Sequence, residues 1–467
     1  MKTVPLSKAG KKPFTVLCLF DYCATTGFAT VSQNIVRELR RRFGDRMHLD
    51  IIPINYLSKM RATVPFTSTV GTTYLIGQLI EAKEYHDLLM HEKECFEQAD
   101  TQIWEDNNRT RILPISYGER LNDPYGRFSF LRYLNDFDYD GAFIMQDPGV
   151  AVGMMPNLLE VAENRRKAGK KRTKTLFYFP IDSVPLSFFF NQEKEKDLSY
   201  FDSLVAYTEF GRHEVLKQRP DLAKKLRVIP HGCNPKHFYM ISSCELDSFR
   251  QEYFGPNAAK KFIIANINRN QFRKDIPSTI LGVAEYKKRY GKNDVFLYLH
   301  MNPRDLPMGW DLPVVLDQAG LKEGIDYGFP PEDKENAQTD IGTLNKIYNA
   351  SDVYLTTTTG EGWGLSVTES MMCGLPVIAP YNTSLMEITG QGERAWLLQE
   401  TFPYCAIYDS VIREQVNYLE VAERINEMRE NPGLTNKKIA KAYEYMESLT
   451  WEKVCDQWED EFKRLFT

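Results

Sequence analysis

The sequence predicts an α/β protein with two doubly wound parallel sheets, one in each of two domains. Three observations carry this. The 467 residues exceed what one hydrophobic core usually serves. Strand-like apolar runs alternate with helix-period stretches along much of the chain, the pattern of parallel strands joined by crossover helices. Each half also contains a strand-turn-helix-strand unit with glycine in its first turn, a design that aims the N–H groups of a new helix at a phosphate.

The first half opens with a strand at Phe14–Phe20 and a turn of small residues containing Gly27. From Phe28 to Phe43 the period is helical, with Val31, Ile35, Val36, Leu39 and Phe43 on one side. A second strand follows at His48–Pro53. Residues 56–140 form an aromatic-rich insert with a helical stretch at Tyr74–Gln98. Alternation resumes with a strand at Ala142–Met145 and a helix at Val152–Lys167. A strand at Thr175–Phe179 runs into Pro180-Ile181-Asp182. Another at Ser203–Tyr207 precedes a helix that Thr208 should cap.

The second half begins with strand Lys261–Arg269 entering a basic turn, then helix Ile276–Tyr290, strand Val295–His300 and helix Ile341–Asn349. Strand Asp352–Thr359 leads to Glu361-Gly-Trp-Gly-Leu-Ser-Val-Thr-Glu369. Gly374 should end that helix before strand Val377–Ala379. A terminal helix starts near Thr450-Trp451. The domain boundary falls near 232–258, giving domains 1–240 and 241–445 and a final segment 446–467.

Glu361 and Glu369 stand eight positions apart, one in the loop and one along the helix. A nucleotide-sugar presents sugar hydroxyls, a diphosphate and ribose hydroxyls in such an order. The diphosphate needs cations, and Arg269 and Lys274 sit at R-x4-K just after a strand, where two long side chains can converge. Arg273 is a substitute cation.

The segment resembles the E-x7-E signature of retaining GT-B glycosyltransferases, most of all glycosyltransferase family 4. The resemblance implies two Rossmann-like domains facing a cleft, with the C-terminal helix crossing back to the first. It implies that Glu361 contacts the donor sugar and Glu369 the ribose, with backbone at Gly362, Trp363, Gly364 and Leu365 facing the donor. Arg269 and Lys274 would hold the diphosphate, and Gly27 would lie near the phosphates. Asn268 and Asp275 stand where the family often has glycine, and His231 where it usually has asparagine. The implied chemistry is front-side attack with retention, needing no metal or other cofactor, from a UDP- or GDP-sugar. Where many members place a histidine, this chain reads Pro180-Ile181-Asp182, so Asp182, or else Asp147, is expected to take over that contact.

Other chemistry is less well supported. Asp136-Phe-Asp138 has the D-x-D form used to hold divalent metals, yet it leads into a strand rather than ending one. His86, His91 and Cys95 lack a fourth zinc ligand. The eight cysteines show no CxxC pair, and no apolar run would span a membrane, so a cytoplasmic protein is expected.

Net charge is −5, spread as +4 over residues 1–230 and −9 over the rest. Basic clusters at 37–46 and 165–174 suit nucleic acid or an anionic surface. One acceptor these clusters allow is a hydroxylated base in viral DNA; a saccharide, lipid or protein is the other. A sugar-nucleotide epimerase of the same fold and a non-catalytic nucleotide-sugar binder are the rival readings.

Overall fold

The computed structural model describes residues 13–22, 26–54, 102–103, 110–113, 125–184, 186, 197–306, 308–330, 339–406 and 410–467. The helix expected at 74–98, most of the aromatic-rich insert, and His86, His91 and Cys95 lie outside these residues.

The first sheet has eight strands: β1 (Phe14–Phe20), β2 (Met47–Pro53), β3 (Gln102–Ile103), β4 (Thr110–Ile112), β5 (Gly141–Met145), β6 (Lys174–Phe179), β7 (Ser203–Ala206) and β8 (Leu226–Val228). Their order is β3-β4-β2-β1-β5-β6-β7-β8. All pairings are parallel except β3 with β4. The second sheet is wholly parallel, with β9 (Phe262–Ile267), β10 (Val295–His300), β11 (Tyr327–Gly328), β12 (Val353–Leu355), β13 (Val377–Pro380) and β14 (Trp396–Leu398). Its order is β11-β10-β9-β12-β13-β14. In each sheet the strand order reverses beside the first strand. The crevice beyond β1/β5 and β9/β12 is where open α/β sheets bind ligands.

Apolar runs explain the central strands. Leu17, Leu19, Ile144 and Phe177 on one face of the first sheet, and Val16, Phe143 and Tyr178 on the other, are all buried. A parallel strand covered on both faces has no solvent side to keep polar.

The terminal helix, Trp451–Phe466, turns a narrow apolar face to the first domain. Trp458 packs on Phe143 and Tyr178 at ring separations of 5.2 and 4.8 Å. Phe466 lies so close to Gly141 that a Cβ there would sit 2.4 Å from its ring. The chain enters this helix beside the outgoing crossover: the Cys233 N–H donates to Leu449 O, and the Trp451 N–H to Cys233 O.

Several expectations are corrected. Helix Pro148–Lys167 starts four residues earlier than the sequence suggested, because Pro148 fits its first turn. Helix Ser243–Phe254, which was not read from the sequence, lies within the stretch where the domain boundary was expected. A hairpin of β15 (Thr401–Cys405) and β16 (Ile412–Val416), followed by helices Tyr418–Glu430 and Pro432–Ser448, went unread.

The cations of both basic clusters also have partners within the chain. Arg165 is buried, donating to Leu134 O and Phe137 O and pairing with Asp138 at 3.0 Å. Arg166 and Lys167 face Glu163, Lys170 donates to Asn135 O, Lys171 pairs with Asp140, and Arg172 and Lys174 share Asp202. In the other cluster Arg37 meets Asn34 and Arg40 the Met47 carbonyl. Arg41 reaches Glu38 and Glu452, and Arg42 clamps Asp456 and Glu459 of the terminal helix. A linear sequence shows the cations together but not the carboxylates that fold against them. The same contacts tie Asp138 and Asp140 of the D-x-D stretch to Arg165 and Lys171.

Candidate functional site

The site lies where the two domains meet. Two loops build it from the second domain. After β9 the chain makes a tight basic turn, Phe272-Arg273-Lys274, and enters helix Ile276–Tyr290 through Asp275. Asp275 adopts φ +45°, the left-handed conformation that favours glycine. After β12 the run Thr356–Thr359 leaves the strand. The Thr359 N–H and hydroxyl both donate to Arg273 O, at 2.8 and 3.0 Å. The Thr357 hydroxyl donates to Asp275 O at 2.7 Å. Threonines thus stitch the two loops together.

That stitching sets Lys274 against Glu361. Lys274 Nζ lies 2.5 Å from Glu361 Oε1, and Arg273 3.2 Å from Oε2. Burial alone would raise the Glu361 carboxyl, but the two cations outweigh it and hold it down at about 2. Burial lowers the Lys274 ammonium, against the opposing pull of Glu361. Arg273 also faces Asp182 of the first domain at 3.5 Å.

Arg269 does not join this cluster. It is half-exposed and pairs with Asp305 at 3.0 Å, so the expected convergence of Arg269 with Lys274 is replaced by Arg273 with Lys274. The reason is geometric: the short helical turn at Phe272–Lys274 carries residues 273 and 274 under Gly360 and Glu361, while Arg269 leaves β9 toward the Asp305 loop.

Glu369 sits on helix Leu365–Met372, whose N-cap, Gly364, takes φ +96°. Tyr348 donates to its carboxylate at 2.8 Å. Burial pushes the Glu369 carboxyl up to about 7, against that hydrogen bond. The amides of the helix's first turn have no intrahelical acceptor, as at any helix start. Gly27 stands opposite: a Cβ there would lie 3.1 Å from Leu365 Cδ1. The first turns of helices Gly27–Phe43 and Leu365–Met372 therefore meet across the crevice.

The loop glycines have a second use that the sequence did not reveal. A Cβ on Gly360 would sit 2.0 Å from Asp182 O, and one on Gly362 2.3 Å from Pro180 Cβ. Here the close approach is to the other domain, the Asp182 carbonyl and the Pro180 ring. Trp363 is buried and packs on His231, with ring centroids 5.2 Å apart. His231 itself lies among Tyr178, Tyr207 and Trp451, and burial lowers its imidazole to about 3. It is a neutral packing residue of the crossover.

From the first domain come Asp182, after β6, and Asp147, the N-cap residue of helix Pro148–Lys167. Asp147 is solvent-exposed as a residue, though protein crowds its carboxyl. Burial and the facing Asp182 raise its carboxyl to about 6, opposed by Arg273. Both candidates thus share the field of Arg273.

Arg413 was missed. It lies on β16, buried, donating to Asp182 O at 2.9 Å and pairing with the Asp182 carboxylate at 3.7 Å. Its partner lies 231 positions away in sequence, so no local signal could have found it.

A cavity of about 500 Å³ on the outer face of the first domain, lined in part by Leu134, Arg165 and Tyr200, shares no residue with this site. Among the described residues no cluster of histidine, cysteine and carboxylate suited to a metal is present. No helix among them is long and apolar enough to cross a membrane.

Comparison with known proteins places the fold. A family model described as "Glycosyl transferases group 1" matches residues 337–444. Sucrose-phosphate synthase from Thermosynechococcus elongatus aligns with a TM-score of 0.64 at 16% identity, over 98% of this chain and 99% of that one. A structure described as trehalose-6-phosphate from E. coli bound with UDP-2-fluoro glucose aligns at 0.63 and 13%, over 96% and 99%. Anabaena HepE in complex with UDP and glucose aligns at 0.60 and 14%, over 97% and 100%. No curated protein matches the sequence. The chain has the GT-B fold, and residues 337–444 carry the group 1 glycosyltransferase pattern.

Proposed function

We propose that this chain is a metal-independent retaining glycosyltransferase that moves a sugar from a nucleoside-diphosphate sugar to an acceptor hydroxyl. One observation carries the reading: a carboxylate held ionised by Lys274 and Arg273 at the meeting of two α/β domains, on the loop that opens helix Leu365–Met372.

In this reading the diphosphate lies along the first turn of that helix, where free amides and the helix dipole favour anions. Lys274 and Arg273 stabilise charge on the leaving diphosphate, and Arg269, itself half-exposed, reaches it by leaving its partner Asp305. Glu361 accepts hydrogen bonds from donor-sugar hydroxyls. Glu369 takes the ribose hydroxyls, with Tyr348 orienting its carboxylate. Asp182 and Asp147 face the acceptor from the first domain. The leaving phosphate takes the acceptor proton as the new glycosidic bond forms on the same face. Removing one cationic contact from the diphosphate should cost about 10²–10³ in rate.

UDP is the favoured donor nucleotide, because the Anabaena and E. coli neighbours are described with UDP or a UDP-sugar. The intrachain pairing of both basic clusters favours a saccharide, lipid or protein acceptor over DNA. Absence of salt-dependent DNA binding by the pure protein would agree with that choice; steep salt-dependent binding would reverse it.

A thermal-shift panel of UDP, GDP, ADP and their sugars tests the donor. A ligand present at about 100 times its Kd stabilises by about 2.7 kcal/mol. Incubation with radiolabelled nucleotide-sugars then separates an enzyme, which releases free nucleotide, from a binder. No shift with any nucleotide would end the proposal.

A further inference from the structure

Beside the Glu361 loop, and lined by neither Glu361, Lys274, Arg273 nor Glu369, lies a cavity of about 250 Å³. Both domains wall it. Ser183 and Phe210 come from the first, and Asn382, Thr383, Met386 and Arg413 from the second. At about 30 Å³ for each water in the liquid, it holds roughly eight waters' worth of space. That is smaller than the pockets that take drug-sized ligands.

Its walls are mixed in a particular way. Phe210 and Met386 supply apolar surface, while Ser183, Asn382, Thr383 and Arg413 are buried polar groups. Its one cation is paired, Arg413 with Asp182; of its two lining carboxylates Glu214 pairs with Lys217 at 2.5 Å and Glu414 accepts the Thr401 hydroxyl at 2.7 Å. A site with apolar faces, hydroxyl and amide groups, a carboxylate to accept from hydroxyls and no unpaired cation to draw an anion suits a neutral polyhydroxylated molecule of monosaccharide size.

A second observation links this cavity to the Glu361 loop. Thr383 holds φ +43°, a left-handed conformation unfavourable for a β-branched residue. In that posture its hydroxyl accepts the Glu361 N–H at 2.9 Å and donates to Asn382 Oδ1 at 3.2 Å. Asn382 in turn donates to Thr358 O at 2.9 Å. Backbone strain is kept at a position where one threonine both lines the cavity and fixes the Glu361 backbone. The mouth is also a domain junction, since the Phe210 N–H donates to Glu387 at 2.9 Å just outside it.

We propose that this interdomain cavity is a second sugar site, taking a neutral monosaccharide-sized polyol whose occupancy steadies the Glu361 loop. The binding claim stands on the cavity alone; the link to donor affinity rests on the glycosyltransferase reading above.

The test is saturation-transfer NMR of the full chain with D-glucose, D-galactose and D-mannose, in wild type and in Met386→Trp and Val184→Trp, which narrow the cavity from opposite walls. Circular dichroism and thermal unfolding confirm that the variants fold. At least one sugar should give a signal in wild type that either tryptophan abolishes. Glu369→Gln and excess UDP should leave it in place. Adding that sugar should tighten nucleotide binding about fivefold in wild type and not in Met386→Trp. No signal from any of the three sugars, a signal unchanged by both tryptophans, or one displaced by UDP would overturn the site. Nucleotide affinity indifferent to the sugar would overturn its effect on the loop. If wild type binds sugar but no nucleotide, the donor reading fails and the sugar site survives.

Discussion

Replacing Glu361 by glutamine tests the core of the site. The carboxylate is buried, 2.5 Å from Lys274 and 3.2 Å from Arg273. Held at about 2 instead of its ordinary 4.5, it contributes on the order of 3 kcal/mol at neutral pH. Glutamine removes that attraction and leaves two part-buried cations facing each other, a change of the kind that costs up to about 3–5 kcal/mol. Asp182, 3.5 Å from Arg273, compensates in part, so about 3 kcal/mol is the expected loss. The pH dependence carries a signature. A depressed carboxyl stabilises the fold above its unfolded value and loses that contribution as pH falls toward the folded one. Urea unfolding followed by tryptophan fluorescence should show a gap between wild type and Glu361→Gln that is constant above about pH 5 and narrows below about 4.5. A variant as stable as wild type at pH 7, or a gap indifferent to acid, would refute this account of the cluster. In the same protein, donor turnover should fall by about 10²-fold or more while nucleotide binding changes little.

Glu369 should behave oppositely. Its carboxyl is raised to about 7, so ionising it costs stability progressively from about pH 4.5 to above 7. Glu369→Gln should therefore gain on the order of 1–3 kcal/mol at pH 8, trimmed by partial solvent access, and nothing near pH 4, while binding UDP more weakly; calorimetric unfolding and titration read both. Gly360→Ala places a Cβ 2.0 Å from Asp182 O, so the domains must shift apart; small-angle scattering should show a more open molecule, and turnover should drop. Trp458→Ala removes a fully buried ring that packs on Phe143 and Tyr178, and unfolding should record a loss of about 3–5 kcal/mol.

Much of the fold and part of the site was legible from residues alone. Periodicity marked β1, β2, β5, β6, β9 and β10 because buried parallel strands read as continuous apolar runs. Thr208 capped its helix as its position suggested, with the Gly211 N–H at 3.0 Å. Gly374, at φ +69°, ended the helix that Glu369 occupies. The Glu361–Glu369 spacing and the turn around Lys274 were visible because each rests on neighbours in sequence. The hairpin of β15 and β16 was not, since its alternation is weak and its value comes from Arg413 reaching Asp182 in the other domain.

The sequence by itself determined which stretches become strands and helices, because local periodicity, caps and turn residues suffice for that. It also placed one carboxylate and a run of cations in loops that follow strands, and a second carboxylate on the helix after Glu361. Only the tertiary structure chose Arg273 over Arg269 as the partner of Lys274, since that depends on how far a short helical turn swings each side chain. It alone paired the basic clusters with Asp202, Asp138 and the terminal helix, and brought Gly360 onto the Asp182 carbonyl. Charge and close approach act between residues from tens to hundreds of positions apart, and their outcome is decided only when the chain folds and the domains meet.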